Sequence, residues 1–317
     1  MKRLLSFLLI CALAVSLCAC VTSPTAVKVN GSSIDASEVA FYLHANRDAG
    51  RLADVKAAAL EQITTAELVR QKCKSMNLIL SKTQKQTLKQ EKKDLVESLG
   101  GTAAYLDYLN SSYLTDRSYD KFQENALYYQ MLYGAILEKN QDLFTSEYLR
   151  QYFAANYIAV QYIAISRLDN DGNPLDEDTD SAQRAKAEQA LSAMMADNAN
   201  YSAIIEEYNE DPEMIGLTEP LVMARSVVQD DYKFLLPAFE LNAGDFDGIY
   251  TTDEGYYILI RYAVSANYYS EHQEEIYENA LDAAFMEQMN AWKKSSSIST
   301  TKVFDEMTLE NLSDYLK

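Results

Sequence analysis

Pro237-Ala238-Phe239-Glu240-Leu241-Asn242-Ala243-Gly244-Asp245 leads through Gly248 to Gly255-Tyr256-Tyr257-Ile258-Leu259-Ile260, and this stretch decides how the chain is read. After a stretch marked by Pro and Gly, a helix is expected around 231–236. Residues 248–251 and 256–263 read as strands, because aromatic and branched aliphatic residues fit a pleated, half-buried surface. Upstream, 157–168 reads as another strand, 181–196 as a helix and 201–208 as a short one. Few, separated strands wrapped by short helices give a small α+β domain over 157–264.

On either side of that domain the pattern is helical. Val27-Lys28-Val29 alternates like a strand and Asn30-Gly31 is a turn signal. Asp35 with Glu38 suits a helix cap, after which helical spacing dominates to about residue 155. Ser81 with Gln84 opens one helix and Gly100-Gly101 closes it. In the next, Phe122, Leu127, Tyr128, Met131 and Leu132 recur at three- and four-residue intervals, the pattern of a core stripe. Tyrosines 105, 108, 113, 119, 128, 129 and 133 offer broad apolar area with a hydrogen-bonding tip, suited to lining a peptide-binding surface. After 264, residues 271–294 read as an amphipathic helix and 298–303 as a strand with the same alternation as 27–29. These two patterns predict that the ends of the chain pair.

Residues 1–19 read as an export signal. Met1-Lys2-Arg3 precedes an uncharged run from Leu4 to Val21, a basic start followed by an apolar segment. Leu17-Cys18-Ala19-Cys20 resembles a bacterial lipobox, which implies removal of residues 1–19 and lipidation of Cys20. An uncleaved anchor helix is the alternative. With Cys11 and Cys18 removed and Cys20 acylated, Cys73 is left, so the mature chain has no intramolecular disulfide. Its helical setting makes it a buried structural thiol.

Charge excludes other functions. The 317 residues carry a net charge of -19, unsuited to a nucleic-acid backbone. Two histidines and four cysteines leave little material for zinc or haem chemistry, and no cofactor is expected. Asp169-Asn170-Asp171-Gly172-Asn173 resembles a calcium loop faintly, without its closing glutamate. Residues 21–156 balance 16 basic against 16 acidic side chains, whereas 157–264 holds 6 against 21. The second unit therefore has its own surface chemistry, either solvation alone or attraction for cationic unfolded segments.

Taken in order, these motifs resemble the extracytoplasmic PrsA/SurA-type foldases that carry a parvulin-type prolyl isomerase domain. Val27 through Gly31, Ile34 and Ser37-Glu38 are similar to their N-terminal chaperone segment. Thr145-Ser146-Glu147 through Tyr157 resembles the helix leading into the parvulin strand, and 237–260 is the most specific match. The resemblance implies an α+β protein: a helical chaperone segment over 20–156, a parvulin-like domain over 157–264, and a helix and strand over 265–317 completing the chaperone lobe. It also implies exported, unfolded or partly folded polypeptides as partners and a membrane reached through the lipid anchor. A homodimer is left open.

Rotation about an X–Pro bond faces a barrier of about 18–20 kcal/mol. Its catalyst must grip the prolyl ring and bind the twisted amide better than the planar one. The resemblance places that pocket at Tyr162, Asp211, Phe234, Thr252 and Tyr257. Tyr162 and Tyr257 fall where the family has its two core histidines, and Asp230 falls, without gaps, where a floor Met is expected. Phenols do not titrate near neutrality, so the expectation is a retained scaffold with weak or lost isomerase activity. The alternatives are an active prolyl isomerase and a solute-binding lipoprotein. His44 and His272 lie in helices outside the domain.

Overall fold

The structure is a computed structural model that describes residues 23–316. Cys20, Cys11, Cys18 and the rest of the export signal lie outside the described residues. The chain divides into two compact units, one formed by the residues up to Lys139 with those from Phe285 onward, the other by Asn140–Ala284.

The first unit begins with strands β1 (Thr25–Val29) and β2 (Ser32–Asp35), joined through Asn30 and Gly31, both at positive φ. Helices α1 (Ala36–Ala45), α2 (Leu52–Ser75), α3 (Lys82–Ser98), α4 (Thr102–Ser111) and α5 (Asp116–Asn140) follow. The Ser81–Gln84 capping box forms as expected, Ser81 N–H donating to Gln84 Oε1 at 2.9 Å and Gln84 N–H to Ser81 Oγ at 3.2 Å. The Asp35–Glu38 box does not form, because Lys121 of α5 takes the Glu38 carboxylate as its ion-pair partner.

The second unit opens with α6 (Ser146–Asn156) and β3 (Tyr157–Ser166), then α7 (Glu177–Met194) and α8 (Tyr201–Tyr208). Helix α7 starts earlier than its periodicity predicts, because Asp176 caps it by accepting from Thr179 N–H at 3.0 Å. Strand β4 (Leu221–Ala224), helix α9 (Arg225–Asp230), a 3-10 helix (Lys233–Glu240), β5 (Phe246–Thr251) and β6 (Gly255–Tyr262) complete the sheet. The helix expected at 231–236 is thus a 3-10 helix that starts two residues later, with α9 just before it. The four strands lie in the order β4-β3-β6-β5, all antiparallel. Ile158, Ile163, Ile165, Leu259 and Ile260 are buried on its faces, each worth about 1.5–3 kcal/mol of burial. Helices α10 (Tyr268–Glu271) and α11 (Gln273–Lys294) follow; Tyr268 and Ile276 pack with Tyr152, Phe153 and Tyr157. The compact unit therefore takes in residues on both sides of 157–264.

The chain then returns to the first unit with β7 (Ile298–Thr300) and α12 (Lys302–Glu306). The expected pairing of the chain ends is present: Val27 lies opposite Thr300 and Val29 opposite Ile298, antiparallel, giving the order β2-β1-β7. Val27, Val29, Leu43, Ile63, Leu132, Phe285, Met289 and Phe304 share one core. Cys73 is fully buried there, its thiol donating to the Tyr128 carbonyl at 3.2 Å. Of the stripe expected on α5, Leu132 is buried but Phe122 is 43% exposed, so the stripe only partly faces the core. Both sheets are antiparallel, unlike the strand–helix alternation that a solute-binding lipoprotein calls for.

Candidate functional site

Strand register sets the site. Tyr162 lies opposite Leu259 and Ala164 opposite Tyr257, so Tyr162 and Tyr257 are diagonal neighbours on one face of the sheet, about 7–8 Å apart at the backbone. The 3-10 helix brings Phe234 onto both. Its ring meets Tyr162 edge-on, with centroids 5.1 Å apart at 82°, and stacks on Tyr257 at 4.2 Å and 20°. Tyr232 adds an edge-on contact to Phe234 at 6.4 Å. Both sheet tyrosines are buried. Tyr257 also explains Gly255: a Cβ there would stand 2.9–3.0 Å from the Tyr257 ring and phenol oxygen, a distance at which something must move.

Asp211 reaches the site through the open edge of β3. Strand β4 pairs with β3 as far as Val160; beyond it, Asn209 and Glu210 take over. Asn209 Nδ2 donates to the Tyr162 carbonyl at 2.6 Å, and its Oδ1 accepts from Ala164 N–H at 2.9 Å and Asp211 N–H at 3.1 Å. Glu210 N–H donates to the Ala164 carbonyl at 2.9 Å, and its carboxylate accepts from Ser166 N–H at 2.8 Å. Thus clamped, the Asp211 carboxylate accepts from the Tyr162 hydroxyl at 2.6 Å and from Glu213 N–H at 2.9 Å. The length of the first bond is that of a charge-assisted O–H···O bond.

Thr252 sits at the β5–β6 turn. Its hydroxyl accepts from Glu254 N–H and Gly255 N–H, each at 3.1 Å, which sets it close beside Tyr257. Tyr162, Asp211, Phe234 and Tyr257 therefore meet, with Thr252 at the margin. Tyr162 belongs to Asp211, and Phe234 joins that pair to Tyr257 by ring contact. The Asp230 side chain lies outside what the structure describes.

Burial pushes the Tyr162 phenol upward, and its bond to the Asp211 carboxylate reinforces the shift. Burial also raises Tyr257, with the Thr252 hydroxyl acting in the opposite sense. Both phenols stay neutral across the physiological range. The site is an aromatic and apolar surface in which the Tyr162 hydroxyl is already paired with Asp211, and neither tyrosine is poised for proton transfer near pH 7. His44 lies tilted against Tyr113 at 4.7 Å and His272 stacks on Tyr268 at 3.8 Å, in other parts of the fold. Among the described residues no cluster of three or more metal-ligating side chains occurs. Asp169 Oδ1 instead accepts from the backbone of Asp171 and Asn173.

The solved structures that this chain resembles are foldases. The foldase PrsA from Streptococcus pneumoniae is 15% identical, with 89% of this chain and 97% of that one covered and a TM-score of 0.32. The PrsA peptidylprolyl isomerase from Bacillus anthracis is 13% identical, with 81% and 95% covered and a TM-score of 0.36. A structure described with two related SurA-like chaperones of Campylobacter jejuni is 10% identical, with 88% and 100% covered and a TM-score of 0.33. At such scores the likeness carries no functional inference. No family model matches the chain, and no curated relative matches it.

Asn209 and Gly255 were not legible as site residues. Asn209 is 7% exposed with its amide fully used; its one signal is its place just before Glu210-Asp211-Pro212, where an Asx turn is at home.

The first unit carries a second candidate surface, a groove of about 370 Å³ lined by Tyr42, Ala66, Val69, Phe122, Ala126 and Tyr129, with Glu61, Gln62, Thr65 and Asn125 at its margin. Phe122 and Tyr129 are 43% and 40% exposed, an apolar area of the kind that marks a binding site.

Proposed function

We propose that this chain is an exported, lipid-anchored folding factor that holds unfolded or partly folded polypeptides, and that its sheet unit keeps a parvulin-like scaffold with weak or lost prolyl isomerase activity. The observation that carries the second half is the bond of the buried Tyr162 hydroxyl to Asp211, with the buried Tyr257 ring stacked under Phe234. A pocket that twists an amide needs an open apolar floor and donors free to follow the moving charge. Here both phenols are buried and the Tyr162 hydroxyl is engaged with Asp211.

The holding role is supported by the groove beside Phe122 and Tyr129, where apolar side chains of an unfolded segment find rigid aromatic surface with a polar margin. Export and anchoring rest on the Lys2-Arg3 start and the Leu17–Cys20 motif in the sequence. Among the described residues no helix is long and apolar enough to cross a membrane. The test is suppression of aggregation of a chemically unfolded protein. The chain suppresses it, and Phe122→Ser with Tyr129→Ser weakens suppression several-fold while Phe234→Ala does not. Equal suppression by all three would remove the groove from the account.

A further inference from the structure

The tip of the α2–α3 hairpin has a charge pattern foreign to the rest of the molecule. Residues 68–90 hold six basic side chains, Arg70, Lys72, Lys74, Lys82, Lys85 and Lys89, and no acidic one, in a chain of net charge -19. Helix stability explains only part of this. Lys72 and Lys74 lie in the last turn of α2, where the helix dipole favours cations. Lys82 and Lys85 open α3, where the dipole disfavours them, and no acidic residue sits in that first turn.

Ion pairing does not explain the rest. Lys92 meets Asp116 and Asp120 and Lys93 meets Glu97. On that flank, Asp120 and Glu124 share a groove with Lys85 and Lys89. Nearer the tip, Lys74 and Lys82 are exposed and have no ion-pair partner among the described residues. Between them the loop presents apolar side chains to solvent: Ile79 is 68% exposed and Met76 38%. Leu80 is buried and Leu78 packs on the core, so the backbone of this loop is fixed while Ile79 stands out from it.

We infer that this tip docks on an anionic phospholipid surface, with the lysines among the headgroup phosphates and Ile79 and Met76 entering the acyl boundary. Lysines near such a surface gain from its negative potential, and exposed apolar side chains gain by leaving water for the boundary region. A soluble polyanion would use the lysines but has no use for Ile79, and it is Ile79 that selects the bilayer.

The test is cosedimentation with vesicles of phosphatidylcholine containing ~30% phosphatidylglycerol, against phosphatidylcholine alone, at ~0.1 M salt. The chain from Val21 is used, because the apolar leader would itself partition and both cores lie within the described residues. The anionic vesicles bind it and the neutral ones do not. Lys74→Ala, Lys82→Ala and Lys85→Ala together weaken binding by about a hundredfold, about fivefold per lysine. Ile79→Ser weakens it several-fold without changing the salt dependence, and all variants keep the wild-type melting temperature. Wild-type binding by the triple variant overturns the inference. So does indifference to Ile79→Ser combined with equal binding of soluble polyphosphate, which would make this a polyanion site. Loss of self-association alone in the triple variant would assign the tip to a second copy of the chain, and would overturn it too.

Discussion

The Tyr162 hydroxyl donates to the Asp211 carboxylate at 2.6 Å, from a buried strand to a loop held by Asn209. Tyr162→Phe removes that donor and leaves the half-buried carboxylate with the Glu213 N–H alone. The expected loss is about 1–3 kcal/mol, the usual penalty for an orphaned polar group, read as a lower melting temperature of the second unit. Asp211→Asn, which keeps an acceptor, loses less. Equal effects of the two variants would show that the pair contributes shape rather than charge.

Gly255→Ala places a methyl 2.9–3.0 Å from the Tyr257 ring. Tyr257 must then leave its stack on Phe234, at a cost of about 1–3 kcal/mol for overpacking. Near-ultraviolet circular dichroism reports the aromatic rearrangement, and an unchanged spectrum with unchanged stability would contradict the geometry.

Acid should weaken the second unit through two carboxylates. Asp180 is held below the usual carboxylate range by the Arg167 guanidinium, which binds it at 2.8 and 2.9 Å, with further help from the Tyr256 hydroxyl. For Glu210, burial works upward but is outweighed by Lys186, Ser166 N–H and Gln183. A carboxyl with a depressed folded pKa stabilises the fold above its unfolded value and loses that contribution as pH falls through the folded one. Asp180→Asn therefore melts below the wild type at pH 7, and the gap closes as pH falls below about 4. A gap that stays the same size as pH falls from 7 through about 4 and below would mean that the loss is steric.

Removing residues from Ile298 onward takes away the β7 partner of β1 together with Phe304, Met307 and Leu312 of the core. Backbone amides of Thr25–Val29 then lose hydrogen-exchange protection while those of β3 and β6 keep theirs. In the intact chain, Phe304→Ala alone lowers the stability of the first unit by about 3–5 kcal/mol. Loss of protection in β3 and β6 as well would show that the second unit depends on this pairing.

What the sequence made legible follows from the range of each interaction. Strands β3 and β6 are long apolar runs with turn signals beside them, and β1 and β7 share an alternation that survives a separation of about 270 residues. Strand β4 has four residues, mostly half-buried, just after Pro220, too short for its period to stand out. Asp176 gives no signal of its own in the sequence, because a cap is defined by the helix after it. In the site, the places of Tyr162, Phe234 and Tyr257 came from motif order, and register joined them. The partner of the Tyr162 phenol was not legible: Asp211 meets Tyr162 across 49 residues through a loop, and no local pattern encodes that contact. Phe122 looked like core because helical periodicity finds an apolar stripe without telling whether anything covers it.

Cis–trans exchange of a short X–Pro peptide in the presence of the intact chain tests the central claim most directly. With both imidazole positions held by buried phenols, the exchange rate is expected to stay near the uncatalysed value, and Phe234→Ala is expected to leave it unchanged. Strong acceleration that Phe234→Ala abolishes would contradict the account, because it would mean that buried phenols, one of them committed to Asp211, still serve a working prolyl site.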